Sequence, residues 1–222
     1  MRRLADGLFQ LSGLPPSAVN IFLLGDVLVD CGTRHAARRV LRQLRGHPVS
    51  AIALTHAHPD HTGGCDAVRR ALGVPLWCGE ADADAVEAGS ANYGADGIVP
   101  RALARAWRGR SAPVARRLRD GDEVGGFTVL ETPGHSPGHL SFWRESDRTL
   151  LAGEVLNNLN NWIPGRVFMP QEPASFSTHD RARNRASARR LAALEPALVC
   201  FCHGPPLRDA SRFAEFVASL PS

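Results

Sequence analysis

The chain has 222 residues, 44% hydrophobic and 22% charged, with a formal net charge of +4. That length suits one large domain or two closely fused halves and is ample for a buried core. No run of eighteen apolar residues occurs, which excludes a transmembrane helix, and the first ten residues lack the apolar segment and cleavage site of a secretory signal, so a cytoplasmic protein is expected.

In chain order, apolar runs at 7–11 and 20–24 predict strands, and the second meets 27–30 through a Gly25-Asp26 turn, a hairpin signal. Residues 34–45 predict a helix with Thr33 as its N-cap. A compact apolar strand at 49–54 delivers the chain to Thr55-His56-Ala57-His58-Pro59-Asp60-His61, followed by a helix at 64–72 and a strand at 75–78. Helices are expected at 80–88 and 101–108 with a loop at 92–97; the whole segment 79–115 reads as a lid, an oligomer contact or a surface insertion. Further on, strand 127–131 runs into Thr132-Pro133-Gly134-His135-Ser136-Pro137-Gly138-His139. Strands at 140–143 and 149–152 are joined by a polar turn. A loop at 153–173, a helix at 175–194, a strand at 198–201 and a closing helix at 209–220 complete the chain. A single domain of two strand-rich halves, about 1–115 and 116–222, predicts a mixed α/β (α+β) fold with two sheets face to face and helices outside.

Every basic residue is an arginine, and the arginines are scattered in small clusters such as Arg38–Arg39 and Arg116–Arg117. A nucleic-acid binder concentrates them on one stripe among aromatics, so no nucleic-acid partner is expected. The five cysteines, Cys31, Cys65, Cys78, Cys200 and Cys202, are odd in number and irregularly spaced, which argues against a disulfide framework. Cys200 and Cys202 flank Phe201 and read as buried thiols on one face of a strand.

The strongest signal lies at residues 55–64. His56, His58 and Asp60 are spaced by two, so in an extended segment they face one side, while His61 departs where a helix begins. Imidazole and carboxylate are the donors zinc prefers. Pro59 stiffens the turn, and Gly63-Gly64 permits close backbone approach. His135, Glu154 and His203 also lie just past strand ends, and such positions gather at one edge of a sheet sandwich. These are potential ligands for a metal site.

In order, Thr-His-Ala-His-Pro-Asp-His-Thr-Gly-Gly, Thr-Pro-Gly-His, Ala-Gly-Glu and Cys-His-Gly-Pro resemble the metallo-β-lactamase superfamily, and within it the glyoxalase II-like hydrolases, over about residues 20–207. The resemblance implies a four-layer αββα sandwich holding two zinc ions, with one zinc, iron or manganese as the alternative. It implies that His56, His58 and His135 hold one metal and that Asp60, His61 and His203 hold the second. Glu154 stands where the family usually has a bridging aspartate, one methylene longer by about 1.5 Å. Either it bridges with a longer arm, or it has turned away and only one site fills firmly. His139 is read as structural, Asp30 as a carboxylate that orients a ligand histidine, and His35, His47 and His179 as surface residues.

A metal-bound hydroxide attacking a carbonyl of a small-molecule ester, thioester or lactone is the expected reaction, with Asp60 as the catalytic residue that orients the nucleophile. No serine nucleophile elbow is present. Only about twenty residues follow His203 and the one tyrosine is Tyr93, so a glutathione thioester is the less expected substrate; Asn157, Asn158, Asn160, Asn161 and Trp162 line the pocket or form a turn-rich loop. Three other readings remain within the same superfamily: a phosphodiesterase or nuclease, which would carry a nucleic-acid-binding insert; a mononuclear iron sulfur oxygenase similar to persulfide dioxygenases, which metal analysis separates; and a non-catalytic metal-binding member.

Overall fold

Twelve strands form two sheets in the computed structural model, which describes residues 1–13, 15–90, 109–159 and 170–221 together with positions 98, 102, 105 and 106. The first sheet runs in chain order through β1 (Arg2–Ala5), β2 (Leu8–Leu11), β3 (Ile21–Leu24), β4 (Val27–Val29), β5 (Ala51–Ala53), β6 (Leu76–Gly79) and β7 (Arg116–Leu118). Its β1–β4 part is antiparallel and its β4–β7 part parallel. The second sheet has the order β12-β11-β10-β9-β8, built from β8 (Glu123–Val124), β9 (Phe127–Glu131), β10 (Leu140–Arg144), β11 (Thr149–Gly153) and β12 (Leu198–Phe201).

Period-two alternation sorts the strands into layers. Phe22, Leu24, Val27, Val29, Ala51 and Ala53 meet Phe127, Val129, Leu140, Phe142, Leu151 and Cys200 in a core between the sheets. The alternate residues Leu23, Leu28 and Ile52 instead pack on Val40 of α1 (Ala37–Gln43), Val68 of α3 (Cys65–Leu72) and Val86 of α4 (Ala83–Ala88). On the far side, Leu150, Val199 and Phe201 pack on Leu191 of α5 (Arg181–Ala192) and on Phe213 and Val217 of α6 (Ala210–Ser219). The result is the αββα sandwich expected from the sequence. No described helix is long and apolar enough to cross a membrane.

Three strands escaped the sequence reading. β1, β7 and β8 are two to four residues long and put charged side chains such as Arg2, Arg116 and Glu123 in solvent, so they carry little apolar pattern. The first helix begins at Ala37, not 34, and has no side-chain cap: the Thr33 carbonyl accepts from Ala36 N–H and closes a turn instead. The helix expected over 175–194 is broken. Ser175–Ser177 is a 3-10 turn, and the helix proper starts at Arg181 with Asp180 as N-cap, because His179 and Asp180 donate their N–H groups to the carbonyls of His135 and Gly134. The predicted loop at 92–97, most of the helix at 101–108, and Asn160, Asn161 and Trp162 lie outside the described residues.

Glu172 ties the chain before this break to α5: its carboxylate accepts from Arg185 at 2.8 and 3.1 Å and from Arg181 at 3.0 Å. The Arg185 bond, foremost, depresses its pKa below the ordinary 4.5. A depressed carboxylate stabilises the fold above its unfolded pKa and loses that contribution as pH falls through the folded value. Glu172→Gln should therefore cost about 1 kcal/mol at pH 7. In urea unfolding the difference from the parent should close as pH falls from 4.5 through the lowered pKa; a gap that persists in acid would contradict the assignment.

Candidate metal centre

Four strand ends deliver the potential ligands to one edge of the sandwich: β5 leads to His56, β9 to His135, β11 to Glu154 and β12 to His203. His58 sits in extended backbone as expected, but Asp60 does not. Pro59 occupies the first position of a helical turn, α2 (Pro59–Thr62), where its fixed φ suits the helix. Asp60 and His61 therefore reach the site from a helix and not by strand alternation. Gly64 then passes so close to Cys31 that a Cβ would lie 2.6 Å from the Cys31 carbonyl oxygen.

Distant groups decide which nitrogen of each ring faces inward. Asp30, in the left-handed region at φ 64°, accepts from Thr55 N–H at 2.9 Å and from the Thr55 hydroxyl at 2.8 Å. With the hydroxyl proton spent on Asp30, Thr55 Oγ1 accepts from His56 Nδ1 at 2.9 Å, and Asp30 Oδ2 accepts from His61 Nδ1 at 3.0 Å. Thr178, whose hydroxyl donates to the Ala174 carbonyl, accepts from His135 Nδ1 at 3.3 Å. The Ala18 carbonyl accepts from His203 Nδ1. Each of these four rings thus turns Nε2 to the cavity, the arrangement outer hydrogen bonds give to metal-binding histidines, whereas His58 presents Nδ1, 3.0 Å from His135 Nε2.

Those nitrogens converge on one atom. Glu154 Oε2 lies 3.1 Å from His135 Nε2, 3.2 Å from His203 Nε2, 3.4 Å from His56 Nε2 and 3.7 Å from His61 Nε2. Asp60 Oδ2 is 3.3 Å from His61 Nε2 and 3.5 Å from His203 Nε2. One donor atom each from His56, His58, His135 and Glu154 falls within 4.8 Å of the others, as do those of Asp60, His61 and His203. Metal–nitrogen bonds of about 2.0–2.1 Å give a tetrahedral edge of roughly 3.3 Å, so these spacings match a ligand shell. Buried Nε2 of His56 and of His61 also has no hydrogen-bond partner among the described residues, an arrangement costly unless something else occupies it.

Burial, reinforced by the neighbouring imidazoles, pushes His58 down to about 3 and His56 well below its ordinary value, so both stay neutral. Burial also opposes charge on Glu154, but His135 and His203 override it and hold the carboxylate ionised. Against the same desolvation, Asp60 and Asp30 raise His61 well above its usual pKa, and Glu154 raises His203.

Two neighbours are not ligands. His139 donates from Nδ1 to Thr132 Oγ1 (2.8 Å) and accepts Glu154 N–H at Nε2 (2.9 Å), and Gly153 leaves no room for a Cβ against the same ring. Cys202 groups with His56 and His61 by distance. Its thiol, though, lies beyond the end of β12 against Asp30 (3.7 Å) and Thr55 (3.6 Å), on the Nδ1 side, and burial pushes it up to about 12.

Asp82, which carried no signal beyond a predicted helix, joins the two principal loops. It is fully buried, and its carboxylate accepts from Ala57 N–H (3.0 Å), Ser136 Oγ (2.5 Å) and Gly138 N–H (2.9 Å). Asp82→Ala strands all three donors at about 1–3 kcal/mol each. The metal-stripped variant should lose roughly 3–5 kcal/mol, a drop on the order of 10 °C in Tm; a melting curve within 2 °C or so of the parent would count against this role.

A family model for the metallo-beta-lactamase superfamily matches residues 14–203. The probable metallo-hydrolase YflN of Bacillus subtilis (strain 168) is 26% identical over 202 residues, spanning 82% of this chain and 76% of that protein. The hydroxyacylglutathione hydrolase of Bdellovibrio bacteriovorus is 27% identical over 195 residues, spanning 82% of this chain and 61% of its own length. The crystal structure of TTHA1623 in a di-iron-bound form aligns with a TM-score of 0.67 at 30% identity, covering 90% of this chain and 94% of that one. The family match, the two-sheet sandwich and the clustered strand-end ligands agree: the chain belongs to the metallo-beta-lactamase superfamily.

Proposed function

We propose that this chain is a metal-dependent hydrolase that cleaves an ester, thioester or lactone at a two-ion centre. His56, His58 and His135 would hold one ion and Asp60, His61 and His203 the other, with the Glu154 carboxylate available to both. The convergence of four histidine Nε2 atoms on Glu154 Oε2 carries this reading. Members of the superfamily bind divalent metals, and a histidine–carboxylate shell accepts zinc, manganese or iron. When bound, such an ion supplies a Lewis acid and lowers the pKa of a coordinated water to near 7.

The protein's own groups supply orientation. Side chains of His56, His61 and His135 are wholly buried, whereas those of Glu154, His203 and Asp60 keep 9–11% exposure, so the substrate carbonyl approaches from the Asp60 side. There the Asp60 carboxylate, held ionised against burial chiefly by His61, accepts a hydrogen bond from the attacking water and aims it. The thiols of Cys65, Cys78, Cys200 and Cys202 do not compete as nucleophiles, because burial raises their pKa values far above neutrality.

Kinetics of the metal-loaded chain on a panel of aliphatic esters, acyl thioesters, lactones and a hydroxyacylglutathione test the reading, the last arm prompted by the name of the Bdellovibrio relative. Turnover is expected for at least one carbonyl class, with Asp60→Asn lowering kcat by about 10²-fold or more. Failure of the loaded chain to hydrolyse any of them would overturn the proposal.

A further inference from the structure

Glu154 meets four of the histidines through Oε2. The other oxygen, Oε1, accepts from Asn157 Nδ2 at 3.1 Å. Asn157 is buried, and its backbone is fixed independently of its side chain by two 2.9 Å bonds exchanged with Gln171, next to the Glu172 anchor. Asn157 Oδ1 is buried and, among the described residues, has no hydrogen-bond partner, so none of them competes with Glu154 for the amide. The reversed amide would set Oδ1 against a carboxylate oxygen, which fixes the donor towards Glu154.

A glutamate has one more rotatable bond than an aspartate, and its carboxylate can swing to offer either oxygen or both. We propose that Asn157 is a positioning residue: by holding Oε1, it leaves Oε2 alone to serve both ligand sets, which lets a glutamate stand between two ions here. The inference rests on the two-ion reading above. Removing the amide frees the carboxylate to rotate, and outer hydrogen bonds of this kind set metal affinity by about 10–100-fold.

The test is a chelator-competition titration with zinc, and with cobalt for its ligand-field absorption. It compares the parent, Asn157→Leu and Asn157→Ala, each also in a Glu154→Ala background. Leucine keeps the volume and alanine removes a buried orphan acceptor, while the Gln171 pairing is made by backbone, so the fold survives in at least one variant; melting of the metal-free proteins checks this. With Glu154 present, both substitutions should weaken one ion per chain about 10–100-fold and shift the cobalt spectrum. In the Glu154→Ala background they should change the affinity of the remaining ion by less than about twofold, since a coupled pair loses its interaction when either partner is gone. Parental affinity in the Asn157 variants, or equal losses in both backgrounds, overturns the assignment. A parent chain that binds no ion sinks the two-ion reading itself, a distinct result.

Discussion

Stripping divalent metal from the protein should depress hydrolysis by about 10³-fold, and adding zinc, manganese or iron should restore it. The loss reflects missing Lewis-acid stabilisation of roughly 4 kcal/mol, at about 1.36 kcal/mol per tenfold in rate. The fold should survive the treatment, because three apolar layers carry it and the ligands are held from behind by Asp30, Thr55, Thr178 and Ala18. Reloading should depend on pH with a definite sign. Without an ion, His61 and His203 keep protons because neighbouring carboxylates raise them despite burial, and those protons must leave before Nε2 can coordinate. Apparent affinity should therefore fall as pH drops below their raised pKa values. Activity assays with metal counting across pH 5.5–8.5, on the order of physiological pH and its flanks, measure both effects. Full turnover in rigorously metal-free protein would remove the metal from the reaction.

Glu154→Ala should lower bound metal from two ions per chain towards one and reduce turnover by about 10²-fold or more, because it deletes a carboxylate oxygen that lies 3.1–3.7 Å from histidines of both proposed ligand sets. Glu154→Asp should keep both ions but change their separation. Its arm is shorter by about 1.5 Å, and the backbone does not follow it inward: Glu154 N–H is bonded to His139, and Gly153 is pressed against the same ring. The ions must shift instead. Mass spectrometry of the intact proteins counts the metals, and X-ray absorption reads the spacing. Unchanged stoichiometry in the alanine variant would strike Glu154 from the ligand set and leave a single-ion site at His56, His58 and His135.

The amino-acid sequence by itself determined the layered fold and the inventory of potential ligands. Apolar runs such as 20–24 and 127–131 are local information, since a strand buried between two layers is apolar in consecutive residues. The ligand motifs were legible for a related reason: each lies directly past a strand, so its place at the sheet edge follows from the chain immediately before it. Short edge strands such as β7 and β8 were not legible, since two or three half-exposed residues carry no period.

Only the tertiary structure decided how those ligands are aimed. Asp30 turns His61 from 31 residues away, Thr178 turns His135 from 43, and Glu154 meets His203 across 49. Backbone bonds from His179 and Asp180 to the carbonyls of His135 and Gly134 broke the helix expected over 175–194, and Pro59 replaced strand alternation with a helical turn beneath Asp60. Asp82 looked like one more acid on a surface helix until its carboxylate was seen bonded to both ligand loops. Nor could the sequence tell that Oε1 of Glu154 is engaged and Oε2 is presented. Hydrogen-bond direction and ring orientation depend on which distant groups arrive at a point in space, and no local periodicity encodes that.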